Sequence, residues 1–511
     1  MDILQSIISS CDADPFCRML LQMAPDAAEP IYLAGGAIRD LLAGREVADW
    51  DFTGAGAMQM AHQFAQANAT GVISLHEDQP TARVAVWDDN SQCHATFDFC
   101  QLRGDTIRDD LAARDFSINA IACNMTALEI LDPLEGIEDL RNRIIRTPAA
   151  ENLAADPLRC LRAYRFMAQL GFTIEPQTRA WIRQYAVGLN DIAGQRIGYE
   201  LRKLLYPPRV SETMAAMDED AVLAVILPEL EEGRDMPQPA MHHLNVREHI
   251  LESVAQMEAL IIDPTGALPA SLNQLENYLT RIDVPPMLLM GALLHDIGKP
   301  RCFSRDDTDR IRFKGHGEVG AEMARQILQR FAWPKRMRHT ITVFVHHHLR
   351  PLLLAAMHQD GEVEDEHTES TITMSALRRL FRLVEGHVLG FAALAIADSR
   401  AAMGPAATPR YQTEVEFILD DMVRRYFEYQ REQKEPHRPL LTGNDLIAAG
   451  YEPGPLFSEI LEVVADAHAD GDIHTRQEAL QVARRVAKNH GFTPPGQDSP
   501  GADTAEPDDR T

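Results

Sequence analysis

Short apolar runs and amphipathic segments alternate along the N-terminal part of the chain. Residues 31–33 are apolar and run into a Gly-Gly turn, which predicts a strand followed by a helix. Residues 81–87 and 94–102 alternate apolar and polar side chains, as half-buried strands do. An alternation of this kind from residue 31 to about 125 is typical of a domain built from a sheet and helices.

Beyond residue 151 the apolar spacing becomes helical and remains so to about residue 490. The longest apolar runs, 287–294 and 388–397, are far shorter than the roughly 20 residues of a membrane span. The pattern therefore predicts an α+β protein, with an N-terminal sheet domain followed by helical domains, and no membrane partner.

The composition is that of a soluble globular protein and limits its partners. At 511 residues, roughly three domains of about 150 residues each are expected. The 49 basic and 76 acidic residues give a net charge of −27, which argues against non-specific coating of nucleic acid but allows a local basic patch. No Cys-x-x-Cys pair is present and the N-terminus lacks a basic signal segment, so a cytoplasmic protein with reduced thiols is expected.

Two acids on the second predicted strand form the first candidate site. Asp49 and Asp51 are spaced i and i+2, so their carboxylates lie on one face of the strand. Neighbouring like charges are costly unless a cation lies between them, and that cation is usually divalent. Asp98, on the strand predicted at 94–102, would complete a cluster of three. Taken alone, an Asp-x-Asp pair is at least as often simply solvated.

Two nearby segments have the chemistry of phosphate and sugar binding. Gly35 and Gly36 form a turn before a predicted helix, where backbone N–H groups hold phosphates. Arg114, Asp115 and Asn119 form a polar constellation at a helix start that could grip a ribose and a phosphate. A salt-bridged helix cap is the alternative interpretation of the second segment.

A row of arginines follows at the start of the helical region. Asp156 and Pro157 suit the N-cap and the first position of a helix. Arg159, Arg162 and Arg165 recur every three residues, so they lie along one side of that helix. Three arginines within seven residues of an acidic protein indicate an anionic ligand, with an exposed basic face as the alternative.

In their order and spacing these motifs resemble the bacterial class II tRNA nucleotidyltransferase and poly(A) polymerase family. The likeness covers about residues 30–210. It implies a nucleotidyltransferase head with a five-stranded sheet, followed by an all-helical neck, body and tail. The motifs that carry it are Gly35-Gly36-x-x-Arg39-Asp40, Arg45 with Asp49-x-Asp51, Arg114 to Ala120, and Asp156-Pro157-x-Arg159 to Phe166.

The resemblance implies a two-metal polymerase site. Two Mg²⁺ ions, bound by Asp49 and Asp51 with Asp98 as the third carboxylate, would activate an RNA 3′-hydroxyl and stabilise the leaving pyrophosphate. The incoming nucleotide would be bound by the other motif residues. These are Gly35, Gly36, Arg39, Arg114, Asp115, Asn119, Asp156, Arg159, Arg162 and Arg165.

The resemblance also implies that Asp156 and Arg159 read the base. Cytosine and adenine each present an amino donor beside a ring-nitrogen acceptor, which an Asp and an Arg can match. CTP and ATP are then the expected nucleotides, with the 3′ end of tRNA or another RNA as partner. Ala155 stands where the family usually has Glu, and the usual arginine pair is reduced to Ala113-Arg114. Addition of CCA, of CC only, of A only, or of a poly(A) tail stays open.

In the second half of the chain, histidines and acids recur in a set order, with the pair His295-Asp296 after an apolar helix. This order resembles an HD metal-dependent phosphohydrolase domain. Histidine and carboxylate ligands suit a divalent transition metal (Mn²⁺, Ni²⁺ or Fe²⁺) or Mg²⁺. Phosphodiesterase or phosphatase activity is the implied function, and an inactive structural fold is the alternative. Within 346–348 the middle histidine is the predicted ligand, and the choice among the three stays open. The predicted ligands are His249, His295, Asp296, His316, His347 and Asp398.

The predicted domains are a head at 1–145, a neck at 146–232, an HD domain at 241–405, a helical tail at 406–490, and a disordered end at 491–511. The predicted function is template-independent addition of CMP, AMP or both to tRNA 3′ ends, together with an HD phosphohydrolase activity. The alternatives are a poly(A) polymerase, or an HD phosphohydrolase whose head only binds RNA. No protein partner is implied.

Overall fold

The computed structural model forms two compact units. The first comprises residues 1–263, 279–346 and 400–407, and the second comprises 264–278, 347–399 and 408–511. The predicted domain boundaries stay a prediction, and the predicted disordered end at 491–511 lies outside the described residues. The structure describes residues 3–47, 49–76, 80–87, 93–352, 374–384, 386–405, 409–432, 439–469 and 473–490.

A seven-stranded mixed sheet organises the N-terminal part of the first unit, and its strand order is β3-β4-β5-β2-β1-β6-β7. Strands β2 and β5 are parallel, and the other neighbours are antiparallel. The α+β class is confirmed, but the sheet has seven strands where five were expected, because a short hairpin, β6 and β7, extends it beyond β1. The strands are β1 Tyr32–Ala34, β2 Asp49–Thr53, β3 Val72–His76, β4 Thr81–Trp87, β5 Cys93–Cys100, β6 Ala122–Asn124 and β7 Glu129–Leu131.

The two faces of the central strands have opposite characters, because successive side chains point to opposite sides. On one face Trp50 and Phe52 of β2 pack beside Phe97 and Phe99 of β5, and all four are buried. The rings of Trp50 and Phe97 are stacked with centroids 6.2 Å apart, and Phe64 of the following helix covers Phe97 at 4.9 Å. The residues between these aromatics, the predicted acids, are therefore placed on the other face.

Helices make up most of the remaining structure. Those up to residue 226 are α1 Ile3–Ala13, α2 Pro15–Met23, α3 Gly36–Leu42, α4 Ala57–Ala67, α5 Ile107–Ala112, α6 Gly136–Asn142, α7 Ala150–Ala155, α8 Leu158–Leu170, α9 Pro176–Tyr185, α10 Gly194–Leu204, α11 Val210–Glu219 and α12 Val222–Ile226. The later ones are α13 Val246–Ile262, α14 Leu272–Leu279, α15 Val284–Leu294, α16 His316–Arg330, α17 Lys335–His347, α18 Met374–Leu383, α19 Val388–Ala401, α20 Pro409–Glu432, α21 Gly443–Ala448, α22 Pro455–Ala469 and α23 Arg476–Asn489.

The C-terminal helices of the second unit carry clear start signals. Thr442 and Thr475 each accept a hydrogen bond from the backbone of an acid three residues later, and that acid bonds back to the cap. Such capping boxes fix where α21 and α23 begin. Among the described residues no single helix is long and apolar enough to span a membrane, although one bent pair, Leu377–Leu383 with Val388–Ala401, meets the criteria of length and composition.

Candidate active site

One cavity in the first unit contains every residue predicted for the polymerase site. Its volume is about 590 Å³, and all thirteen predicted metal- and nucleotide-binding residues line it. The lining holds eight basic and six acidic side chains, a local positive excess in a chain of net charge −27. Carboxylates for a metal and guanidinium groups for phosphates are thus brought into one space.

The parallel pairing of β2 with β5 assembles the three acids. Asp51 lies directly opposite Asp98, and Asp49 lies opposite Thr96, whose hydroxyl donates to the Asp49 carboxylate. Burial, together with the charges of Asp98 and Asp49, raises the pKa of Asp51 to about 6, although Arg114 and the Gly36 N–H act in the opposite direction. A bound cation would relieve the repulsion between these neighbouring carboxylates, so their arrangement fits a divalent metal.

A residue that was not predicted, Arg83, holds the third acid. Its guanidinium donates two hydrogen bonds to Asp98, from Nε to Oδ1 and from Nη2 to Oδ2, each 2.7 Å long. The two residues are direct cross-strand partners on β4 and β5. The alternation of apolar and polar residues in 81–87 is enough to predict that the Arg83 side chain lies on the polar face of this strand. Because Asp98 already has a cationic partner, Asp49 and Asp51 are the carboxylates best placed to bind metal.

The Gly-Gly turn between β1 and α3 needs glycine for steric reasons. Gly35 has φ +75°, and a Cβ there would lie 2.8 Å from Nη1 of Arg114 and 3.3 Å from Oδ2 of Asp51. A Cβ at Gly36 would also come within 3.3 Å of that carboxylate. A side chain at Gly35 would therefore displace Arg114, and one at either glycine would crowd Asp51, whereas glycine lets the backbone N–H groups approach the acids closely.

A buried polar network connects α3 to α8. Arg39 donates from Nη1 to the side-chain oxygen of Asn119 at 2.7 Å, and the Asn119 amide donates to Asp115 at 2.9 Å. Arg162 then donates to the other oxygen of Asp115 at 2.9 and 2.6 Å. Burial alone would raise the pKa of Asp115, but Arg162 and Asn119 hold it well below its usual range. The network fixes these side chains before any ligand binds.

The arginine row of α8 is packed against other residues and is not an exposed basic face. Arg39, Arg162 and Arg165 lie over the ring of Phe166, with guanidinium carbons 4.9, 5.6 and 4.2 Å from its centroid. Glu200 of α10, which was not predicted, is buried and pairs with Nε of Arg165 at 2.7 Å and Nη1 of Arg162 at 3.5 Å. A carboxylate on one side and an aromatic ring on the other keep the guanidinium groups in place.

The predicted base-reading pair lies at the start of α8. The helix begins at Leu158, one residue later than expected, and Oδ1 of Asp156 accepts from the Leu158 N–H at 3.3 Å. Oδ2 of Asp156 accepts from Nη2 of Arg196 at 2.9 Å. Arg159 donates to the Asn152 carbonyl at 3.2 Å, and burial lowers the pKa of its guanidinium. Arg196, which lies on α10, is thus a further residue of the site.

Four of the predicted HD ligands meet around one carboxylate in the first unit. His249 and His295 bring Nε2 to 3.5 and 3.2 Å from Oδ2 of Asp296, and His316 brings Nε2 to 3.4 Å from Oδ1. Burial opposes the charge of Asp296, but Lys299, with Nζ 2.5 Å away, and His295 lower its pKa. This set of imidazoles and a carboxylate fits a divalent metal.

Backbone carbonyls fix the tautomers of two of these histidines. Nδ1 of His295 lies 2.8 Å from the Ala292 carbonyl, and Nδ1 of His316 lies 2.7 Å from the Phe313 carbonyl. A carbonyl only accepts, so each Nδ1 carries the proton and each Nε2 lone pair is directed at the centre of the cluster. This is the arrangement expected of metal-binding histidines.

The remaining two predicted HD ligands belong to the second unit. Asp398 is buried on α19. Among the three consecutive histidines, His348 is buried, whereas the predicted ligand His347 is half-buried and His346 is exposed. The choice of His347 among the three stays a prediction.

Known proteins resemble the chain along most of its length. Residues 31–146 match the poly A polymerase head domain, 171–233 match the probable RNA and SrmB-binding site of polymerase A, and 272–378 match the HD domain. An A-adding tRNA nucleotidyltransferase of Deinococcus radiodurans is 32% identical over 467 residues, which are 89% of this chain and 95% of that protein. A CC-adding tRNA nucleotidyltransferase of Thermus thermophilus is 30% identical over 462 residues, 89% and 92% of the two chains.

Solved structures show the same fold. The Thermotoga maritima CCA-adding enzyme, determined in complex with tRNA, aligns with a TM-score of 0.59 at 18% identity and covers 96% of this chain and 99% of its own. At that identity the likeness concerns the fold.

Proposed function

The chain belongs to the tRNA nucleotidyltransferase family with a poly(A) polymerase head, and on that premise we propose that it adds CMP, AMP or both to the 3′ end of tRNA. CTP and ATP would be the substrates, and no template would be needed. The observation that carries the proposal is the single cavity lined by all thirteen predicted residues. The sheet supplies the three metal-site acids Asp49, Asp51 and Asp98, and the helices α3, α8 and α10 supply most of the arginines.

Asp49 and Asp51 would hold Mg²⁺, which supplies activation of the RNA 3′-hydroxyl and charge stabilisation of the leaving pyrophosphate. The turn at Gly35 and Gly36 offers N–H groups for the triphosphate. Arg39, fixed by Asn119, adds a positive charge beside it. Because these groups are positioned before the nucleotide arrives, little reorganisation is needed in the transition state.

Base selection would rest on Asp156 and Arg159. Among the relatives, one is named for adding A and another for adding CC, so the family name does not fix the nucleotide. Labelled CTP and ATP, offered with tRNAs that end at the discriminator base, after C, or after CC, separate the possibilities. Incorporation of ATP alone on tRNA ending in CC identifies A addition, CTP alone identifies CC addition, and long A tracts on unrelated RNA identify a poly(A) polymerase.

The metal-binding acids provide the decisive variants. Asp49→Asn and Asp51→Asn are each expected to reduce incorporation by about a thousandfold, since a bound metal supplies several kcal/mol of transition-state stabilisation. Asp105→Asn removes an exposed acid that does not line the cavity and should retain full activity. Undiminished incorporation by Asp49→Asn and Asp51→Asn would refute the proposal.

A second activity, metal-dependent phosphohydrolysis, is supported by the cluster around Asp296. We propose that this site binds Mn²⁺, Ni²⁺ or Fe²⁺, or Mg²⁺, and hydrolyses phosphodiesters or phosphomonoesters such as those at RNA ends. Hydrolysis of 2′,3′-cyclic nucleotides should be lost in His295→Ala and kept in His94→Ala, which alters an exposed histidine of the head. Absence of hydrolysis by the intact, metal-loaded protein would favour a structural HD domain.

The cytoplasm is the proposed compartment. All seven cysteines are free thiols, and four of them, Cys11, Cys17, Cys123 and Cys160, are buried. A chain that keeps every thiol unpaired is typical of a reducing compartment.

A further inference from the structure

One face of α10 presents three side chains to the cavity, and of these only Arg196 contacts a residue of the predicted nucleotide site, Asp156. Arg196, Tyr199 and Lys203 are spaced i, i+3 and i+7, so they share one side of the helix, and all three line the cavity. The opposite side of α10 is apolar and buried through Ile197 and Leu201. We call Arg196, Tyr199 and Lys203 the α10 stripe.

Tyr199 lies at the rim of the cavity. Its side chain is 48% exposed, whereas the other aromatic lining residues, Phe52 and Phe166, are buried. Asp49 is also exposed and lines the same cavity. An RNA end that is to react at the metal-binding acids enters the cavity that Tyr199 also lines, and there the Tyr199 ring offers an open aromatic face.

The surroundings of Tyr199 are cationic and close to the catalytic acids. Nζ of Lys203 lies 4.5 Å from the centroid of the Tyr199 ring. Tyr199 and Lys203 line the same cavity as the three acids Asp49, Asp51 and Asp98. An aromatic ring next to a cation is the combination that binds single-stranded RNA by base stacking and phosphate contact.

We infer that Tyr199 is the stacking platform for the unpaired base at the 3′ end of the acceptor RNA, with Lys203 contacting the adjacent phosphate. The inference rests on the proposed function and deepens it. An enzyme that extends an RNA end meets a different terminal base before each addition. A stacked ring accepts every base, because all bases have a π-face. Recognition of the incoming base can then be left to Asp156 and Arg159.

The test separates RNA binding from nucleotide binding. Tyr199→Ala should raise the KM for truncated tRNA and weaken its binding, measured by fluorescence anisotropy, by about 5- to 150-fold, the range of one base–aromatic stack. The KM for CTP or ATP, measured at saturating tRNA, should stay within about twofold. Tyr199→Phe should keep the affinity because the ring remains, and Lys203→Ala should lower it most at low salt.

Two controls exclude general effects. Trp87→Ala removes another exposed aromatic, 55% accessible and absent from the cavity lining, and should not change RNA affinity. A blunt RNA duplex without a single-stranded end should bind the original protein and Tyr199→Ala equally.

Three results would overturn the inference: unchanged RNA affinity in Tyr199→Ala, the same loss for the blunt duplex, or a rise confined to the KM for nucleotides. Failure of the proposed function would look different. In that case the original protein would incorporate no nucleotide, and the anisotropy measurement would still decide whether Tyr199 binds an RNA end.

Discussion

At the scale of single residues, Asp115 is the carboxylate on which the arrangement of the cavity depends most. It is buried and accepts from Arg162, Asn119 and the Phe116 N–H. Asp115→Asn leaves the guanidinium of Arg162 without its closest anion. We expect the free energy of unfolding at pH 7, measured with urea, to fall by roughly 3 kcal/mol.

The pH dependence of that loss follows from the lowered pKa. A carboxylate whose pKa in the folded state lies below the ordinary 3.8 stabilises the protein above about pH 4, and the contribution is lost as the pH falls through the folded-state value. The gap between Asp115→Asn and the original protein should therefore be constant from pH 8 to about 5 and close in acid. Glu138→Gln, which alters an exposed acid, should change stability by less than about 0.5 kcal/mol. A gap that widens in acid would contradict this account.

The site residues that could be predicted from the sequence lie in local motifs, whereas those that could not be predicted depend on partners far along the chain. Asp49, Asp51 and the arginines of α8 stand in local motifs, where spacing alone determines which face they share. Arg83 and Glu200 act through partners far along the chain, so their roles depend on strand register and helix packing. The alternating segments 81–87 and 94–102 could have suggested that Arg83 and Asp98 are neighbours on adjacent strands. No local pattern marks Glu200 as a buried partner of Arg162 and Arg165.

At the scale of elements, the turn between β1 and α3 offers a test with a matched control. Gly35 and Gly44 both have positive φ, +75° and +68°, but a Cβ at Gly44 meets nothing within 4 Å. Gly44→Ala should cost about 1 kcal/mol of stability from backbone strain, and Gly35→Ala should cost more, because its ψ of −136° lies outside the left-handed helical region. Only Gly35→Ala should displace Arg114 and Asp51, with a loss of nucleotide incorporation on the order of 100-fold. Equal losses of activity in the two variants would show that crowding at Gly35 is not the cause.

Element prediction succeeded where the periodic pattern is long and failed where it is short. The alternating segments at 81–87 and 94–102 correspond to β4 and β5, which carry Arg83 and Asp98. Strands β6 and β7 are three residues each, too short for a period to be recognised, and they account for much of the difference between five strands and seven. Since the acids lie on β2 and β5 at the centre of the sheet, this miss did not affect the site.

At the scale of the whole molecule, the order of motifs along the chain predicted both nucleotide addition and phosphohydrolysis. No single motif was enough for either prediction. Of the five gaps between consecutive predicted HD ligands, four span 20 residues or more, and only a resemblance could group these residues. The structure adds that four of them meet at Asp296 within the first unit. The polymerase acids offer only oxygen donors, whereas the HD cluster offers mostly imidazole nitrogen. The two sites should therefore prefer different metals.

Metal removal and replacement tests that difference in the intact chain. Chelation by EDTA should abolish both nucleotide incorporation and hydrolysis of 2′,3′-cyclic nucleotides. Mg²⁺ alone should restore incorporation, while full hydrolysis should require Mn²⁺ or Ni²⁺, because imidazole ligands bind these ions more tightly than Mg²⁺. Asp51→Asn should lose only incorporation and Asp296→Asn only hydrolysis, so each variant serves as the control for the other. Restoration of both activities to the same extent by Mg²⁺, with no gain from Ni²⁺, would show that the cluster around Asp296 does not select a transition metal.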